Sequence, residues 1–164
     1  MDMTPKRAAD SATEMVQVVL PNDANPLGFI LGGTVMHLID IAGAIACHRH
    51  TRSLLVTAAV DDLQFLHPIK VGDLIILKSR VTCVFTTSLE VQVDVFSEET
   101  LTGRRQLTSS AFLTFVAIDR DGGRVRVPPL LVETEAERAV CAAALERRAA
   151  RLARKQQGAS TKYS

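Results

Sequence analysis

The chain has 164 residues, 47% of them hydrophobic, and its 19 basic and 18 acidic side chains leave a formal net charge of +1. That length suits one domain with a real core, and the near-cancelled charge argues against a general nucleic-acid binder, which carries a basic excess. Neither a long apolar run nor an apolar N-terminal stretch occurs, so no membrane span and no secretory signal are expected, and the protein is read as cytoplasmic.

Residues 1–13 are polar and aperiodic and read as a disordered leader. Met15 to Leu20 reads as a first strand. The segment from Pro21 to Pro26 is a turn-rich loop punctuated by two prolines. Gly28 and Gly32-Gly33 follow, and then comes a segment without breakers from Thr34 to about His50. Its apolar residues, from Val35 and Met36 to Ile45 and Ala46, cover nearly the whole helical circumference, the pattern of a buried helix. The basic run His48-Arg49-His50-Thr51-Arg52 suits the C-terminal end of its dipole.

Beyond this helix the period changes to two. Val56 to Phe65, Leu74 to Phe85, Leu89 to Val95 and Leu107 to Ile118 read as four strands, with turns at Pro68 to Asp73, Thr102-Gly103-Arg104 and Asp121-Gly122-Gly123. One helix followed by consecutive strands predicts an α+β fold with an antiparallel sheet wrapped around the apolar helix. The expected domain spans 14–132. A charged helix over 133–155, acidic at its start and basic at its end, follows, and 156–164 read as a disordered tail. The three cysteines, Cys47, Cys83 and Cys141, are odd in number and lack a CxxC pair. No metal site and no disulfide framework is expected, and all three read as small packing residues.

Asp40 stands in the middle of the helix predicted to be buried. A carboxylate there is either functional or paired, and His37 is the nearest local partner. Gly32-Gly33 at the helix start gives close backbone approach and free amides, which suit a developing oxyanion or serve an ordinary loop-to-helix junction. Asn25 in the preceding loop is a turn former or a carbonyl polariser. The serine-hydrolase elbow, the phosphate loop and the dinucleotide fingerprint are all missing.

The run from Asn25 to Asp40, N-x-x-G-x-x-x-G-G-x-x-M-x-x-x-D, resembles the signature of the acyl-CoA thioesterases (acyl-CoA hydrolases) of the hot-dog fold. The resemblance continues through Val56 to Phe65, Pro68 to Asp73, Thr86 to Val91, Thr114 to Ala117 and Val127-Pro128, covering about residues 15–150. Leu31 departs from the histidine that many members carry there. The resemblance implies a hot-dog fold and a homo-oligomer, dimer or trimer of dimers. It implies hydrolysis of acyl-CoA to a free acid and coenzyme A, with no cofactor, at sites shared between subunits. Asn25 of one subunit and Asp40 of the other would face one thioester, with Asp40 as general base or nucleophile. Asn25 would orient the carbonyl or the water, and the Gly32 and Gly33 amides would stabilise the oxyanion. Thr57, Ala59, Thr86, Thr87, Ser88 and Arg148 match positions that contact coenzyme A. The rival reading is a non-catalytic acyl-CoA sensor on the same fold, which has no need of Asn25 and Asp40 together.

Overall fold

The structure, a computed structural model, describes residues 2–160. The described residues divide into two compact units, 2–131 and 132–160.

The first unit is built on a five-stranded antiparallel sheet of order β2-β4-β5-β6-β3. Its strands are β2 (Thr13–Val18), β3 (Leu54–Phe65), β4 (Leu74–Val84), β5 (Ser88–Glu98) and β6 (Arg105–Ile118). The alternation predicted from sequence is the alternation observed. Ile75, Leu77 and Val81 of β4, Leu89 to Val95 of β5 and Ala111 to Ala117 of β6 send their apolar rows into one core. That core closes on α2 (Gly32–Thr51). The buried residues of α2 are Val35, Leu38, Ile39, Ala42, Gly43, Ala46, Cys47, His50 and Thr51, a stripe at strict three-and-four spacing. Val35, Leu38 and Ile39 each contribute about 1.5–3 kcal/mol by leaving water. At Gly43 the helix sits directly on the sheet: a β-carbon there would lie 3.1 Å from Val91 and 3.2 Å from Phe115.

α2 is thus buried along one stripe, not all round as its composition predicts. Met36 is 47% exposed, His37 is exposed, and Asp40, Ile41, Ala44 and Ile45 are half-buried. Of the apolar residues beyond the stripe, Ala44 still packs against the core, whereas Met36 stays open. The same holds for β3, an edge strand bonded on one side to β6, whose Leu54, Val56, Val60 and Phe65 are exposed.

From Lys6 on, the expected disordered leader carries regular structure instead. β1 (Lys6–Arg7) pairs in parallel with β7 (Leu130–Leu131), and α1 (Ala8–Ser11) buries Ala8 and Ser11. The Lys6 Nζ donates to the His50 carbonyl at 2.7 Å, and the His50 Nε2 donates to the Pro128 carbonyl at 2.9 Å. These bonds pin the C-terminus of α2 to both chain segments. Cys47 is a buried free thiol that burial pushes upward in pKa. Cys83 is buried, as expected of a packing residue, but it is disulfide-bonded, which corrects the expectation of no disulfide.

The second unit is α3 (Glu135–Ser160). Thr134 and Glu137 form a capping box at its start. The Thr134 Oγ1 accepts the Glu137 amide at 3.1 Å, and the Glu137 carboxylate accepts the Thr134 amide at 3.2 Å. The helix runs on through residues expected to be a disordered tail, as far as Ser160; 161–164 lie outside the described residues. Cys141 is also a disulfide cysteine rather than a free one.

Candidate active site

The site residues read from sequence fall into two groups at two places on the first unit. The first group gathers where the Asn25 loop meets the start of α2. This loop closes through an Ala24–Ile30 bridge, with Gly28 at φ +82° making the turn. The Asn25 Oδ1 accepts the amides of Leu27 at 3.0 Å and Phe29 at 3.2 Å. Two donors on the oxygen fix the orientation of the side chain and leave the Nδ2 amide free to donate outward. Asn25 is therefore both turn former and potential carbonyl polariser; one atom serves each role.

Next to it, α2 starts uncapped. Leu31 occupies the N-cap position and supplies no side-chain bond. The first amide to find a helical acceptor is that of Val35, bonded to the Leu31 carbonyl at 3.1 Å. The amides of Gly32, Gly33 and Thr34 precede it and carry the positive end of the helix dipole. Nothing lies within 4 Å of where a β-carbon of Gly33 would stand, so a ligand has open access to this backbone. A pocket of about 290 Å³ lies here, walled by Asn25, Phe29, Gly32, Val35 and Phe65, with Ser109 among its lining. Asp40 and Thr57 do not line it.

The second group gathers further along α2. The Thr57 hydroxyl, on β3, donates to the Asp40 Oδ1 at 2.7 Å, a charge-assisted bond. The partner of Asp40 is therefore on the neighbouring strand; His37 makes no bond to it. A shift in the β3–β6 register between Thr57 and Ala59 marks a bulge just beyond this contact. Thr57 pairs with Phe115, and Ser88 on the far side of β6 pairs with Val116. Thr86 and Thr87 form the β4–β5 turn, where their carbonyls accept the amides of Val127 at 3.1 Å and Ala117 at 2.9 Å. Asp40, Thr57, Ala59, Thr86, Thr87 and Ser88 thus share one end of the sheet. Arg148 is a half-buried residue of α3 in the second unit. Among the described residues no cluster of three or more His, Cys, Asp or Glu can hold a metal.

The two groups are far apart within one chain. Eight residues of helix separate Gly32 from Asp40, about 12 Å of axial rise. Along β6, the pocket residue Ser109 and Phe115 beside Thr57 stand about 20 Å apart.

A five-stranded antiparallel sheet curled about one central helix, with its polar residues at the helix start and flank, defines the hot-dog class. The model of the thioesterase superfamily matches residues 27–103. The uncharacterised acyl-CoA thioester hydrolase YkhA of Bacillus subtilis is 44% identical over 119 residues, 73% of this chain and 69% of that one. The human cytosolic acyl coenzyme A thioester hydrolase is 32% identical over 136 residues, 82% of this chain, which spans only 36% of that protein's length. Among solved structures, an acyl-CoA hydrolase of Staphylococcus aureus in complex with butyryl coenzyme A and coenzyme A has a TM-score of 0.86 at 32% identity, with 95% of each chain covered. A hexameric acyl-CoA thioesterase in its apo form has a TM-score of 0.87 at 38% identity, covering 93% of this chain and 97% of that one. The chain belongs to the thioesterase superfamily, and within it to the acyl-CoA thioester hydrolases. Structures of the S. aureus enzyme include alanine variants of an Asn, an Asp and a Thr that lie 15 and then 17 residues apart in its chain.

Two features of the site were not singled out from sequence. One is the bond to Asp40 from Thr57, which the resemblance makes a coenzyme A contact. Ser109 carried a usable signal: a hydroxyl in the phase of a row otherwise made of Ala111, Leu113 and Phe115.

Proposed function

We propose that this chain hydrolyses acyl-CoA thioesters at sites each assembled from two copies. One copy supplies Asn25 and the start of α2; the other supplies Asp40. The observation that carries this reading is the separation of the two groups. A base or nucleophile and the oxyanion donors must meet within about 3 Å of one carbonyl group. Gly32 and Asp40, fixed on one rigid helix about 12 Å apart, do not do so within a chain. Two copies placed antiparallel along the exposed flank of α2 and the free edge of β3 bring each Asp40 to the other's Asn25. The same arrangement covers Met36, Val56 and Val60.

In this site the Asn25 Nδ2 and the amides at Gly32 and Gly33 hold the carbonyl oxygen and take up its charge as the tetrahedral intermediate forms. Each such donor is worth about 3 kcal/mol in a dry site. The Asp40 oxygen not held by Thr57 faces the thioester carbon. It either takes the proton of the attacking water or attacks the carbon itself. The C–S bond then breaks and the coenzyme A thiolate leaves. With water as nucleophile the free acid forms at once and the proton taken by Asp40 passes to the sulfur. Direct attack instead leaves an acyl-aspartyl anhydride that water then hydrolyses, releasing the acid, restoring the carboxylate and supplying the sulfur's proton. Thr57 fixes the carboxylate, and the Asn, Asp and Thr changed in the S. aureus enzyme have the types and spacings of Asn25, Asp40 and Thr57 here. Ala59, Thr86, Thr87, Ser88 and Arg148 contact coenzyme A in this reading, with Arg148 on a phosphate. No cofactor is required. The pairs assemble as a trimer of dimers, as the hexameric relative supports. A cytoplasmic location accords with the human relative, cytosolic by name, and among the described residues no helix is long and apolar enough to cross a membrane.

Complementation tests the shared site. Asn25→Ala and Asp40→Asn proteins are each expected to turn over poorly. Verified mixed dimers of the two should recover up to about half of wild-type activity, since one of their two sites carries both intact residues. Mixed dimers with no recovery would remove the shared geometry.

A further inference from the structure

Two serines interrupt the apolar rows that the sheet turns toward α2. Ser79 on β4 is accounted for, because its hydroxyl donates to the Ala42 carbonyl at 2.8 Å within the core. Ser109 on β6 is different. It is 2% exposed and its backbone pairs with Val95 and Phe65. Its hydroxyl has no hydrogen-bond partner among the described residues, and Ser109 lines the pocket that Asn25 and Gly32 also line. Its neighbour Thr108, the extra residue of a bulge, is fully buried and satisfied by the Val95 carbonyl at 3.0 Å. The other walls are mostly apolar: Phe29, Ile30, Val35, Phe65 and Leu66. At about 290 Å³ the pocket lies at the small end of ligand sites.

On the thioesterase reading above, the thioester carbonyl lies at Asn25 and Gly32, and its acyl group enters this pocket. We infer that Ser109 selects acyl groups bearing a neutral oxygen, a hydroxyl or a ketone, over plain alkyl chains of the same length. A plain chain strips water from the buried Ser109 hydroxyl and returns no bond, which is costly. An oxygen on the chain restores the bond. A site built to bond a substrate oxygen rejects the analogue lacking it far better than an apolar site resolves one methylene. The lining contains no lysine or arginine, and His67 is the one ionisable side chain among its residues, so an uncharged oxygen, which needs no counter-charge, suits it better than a carboxylate.

The test uses matched pairs: butyryl-CoA against 3-hydroxybutyryl-CoA and acetoacetyl-CoA, and hexanoyl-CoA against 3- and 4-hydroxyhexanoyl-CoA. Wild-type kcat/KM should favour at least one oxygenated member of a pair by about tenfold or more, and Ser109→Ala should bring that ratio to within about twofold, chiefly by gaining on the plain chain. Dissociation constants of the same pairs, measured on the Asp40→Asn protein, should follow the wild-type preference without any need for the Ser109 variant to fold. Equal treatment of every pair by the wild type, or a preference that survives Ser109→Ala, overturns the role of Ser109 and leaves the thioesterase reading intact. Absence of hydrolysis of every acyl-CoA overturns both.

Discussion

The two flanks of α2 contrast within one 20-residue helix. The sheet-facing flank is a regular stripe of small and branched residues, so close to the sheet at Gly43 that no β-carbon fits without displacement. The other flank is nearly as apolar but open, and carries Met36, His37 and Asp40. The first flank is matched by residues of the same chain. The second is only partly covered in its own unit, and it holds the carboxylate. A helix apolar all round therefore need not be buried by its own chain; its two flanks can answer to two partners.

Substitutions separate the flanks. The largest effect is expected on the open one. Asp40→Asn keeps size and the bond from Thr57 but neither accepts a proton nor attacks, so kcat should fall on the order of a hundredfold or more. The melting temperature should stay near that of the wild type. A kcat within about twofold of wild type would take Asp40 out of the chemistry.

Gly43→Ala probes the other flank and should behave in the opposite way. The added methyl presses on Val91 and Phe115, and overpacking of this kind costs about 1–3 kcal/mol. Denaturant unfolding should show that loss, with kcat per folded molecule little changed. An unaltered midpoint would mean that the helix has room to lift away from the sheet.

The smallest effect lies at the C-terminal end of the buried stripe. Burial and the nearby Lys6 lower the pKa of His50, with desolvation the larger cause; the Pro128 bond and Asp10 oppose them only in part. Its Nδ1 is buried without a partner. The unfolded chain then binds a proton more readily than the folded one. Stability contributed by neutral His50 is full above the ordinary value of 6.5 and is lost as pH falls below it toward the lowered folded value. Melting temperatures should decline over that window, and His50→Gln should flatten the decline. An unchanged slope in the variant would move the pH dependence elsewhere.

Much of this was legible in the sequence. Strands β4, β5 and β6 announce themselves by period, and α2 by its lack of breakers. What escaped depends on partners distant in the chain. Lys6 and Arg7 become a strand only because Leu130 and Leu131 lie beside them. The bond to Asp40 comes from Thr57, 17 residues on, where a search for local pairs on the helix finds only His37. Composition gave the hydrophobicity of α2 but not the identity of its neighbours. The residues of the Asn25-to-Asp40 signature were all visible, while their division into two distant groups required the rigid length of the helix.

β3 also governs how far self-association can spread. Its 12 residues are broken by register shifts after Thr57 and after Asp61, and Asp62 adopts a left-handed φ of 53°. A straight, unbroken edge of that length would accept any extended chain and invite growth into fibres. The breaks leave only short stretches fit for pairing, and two adjacent aspartates place charge beside them. Such an edge tolerates a partner whose own irregularities fit and rejects indiscriminate strand addition, so its construction guards the protein's solubility.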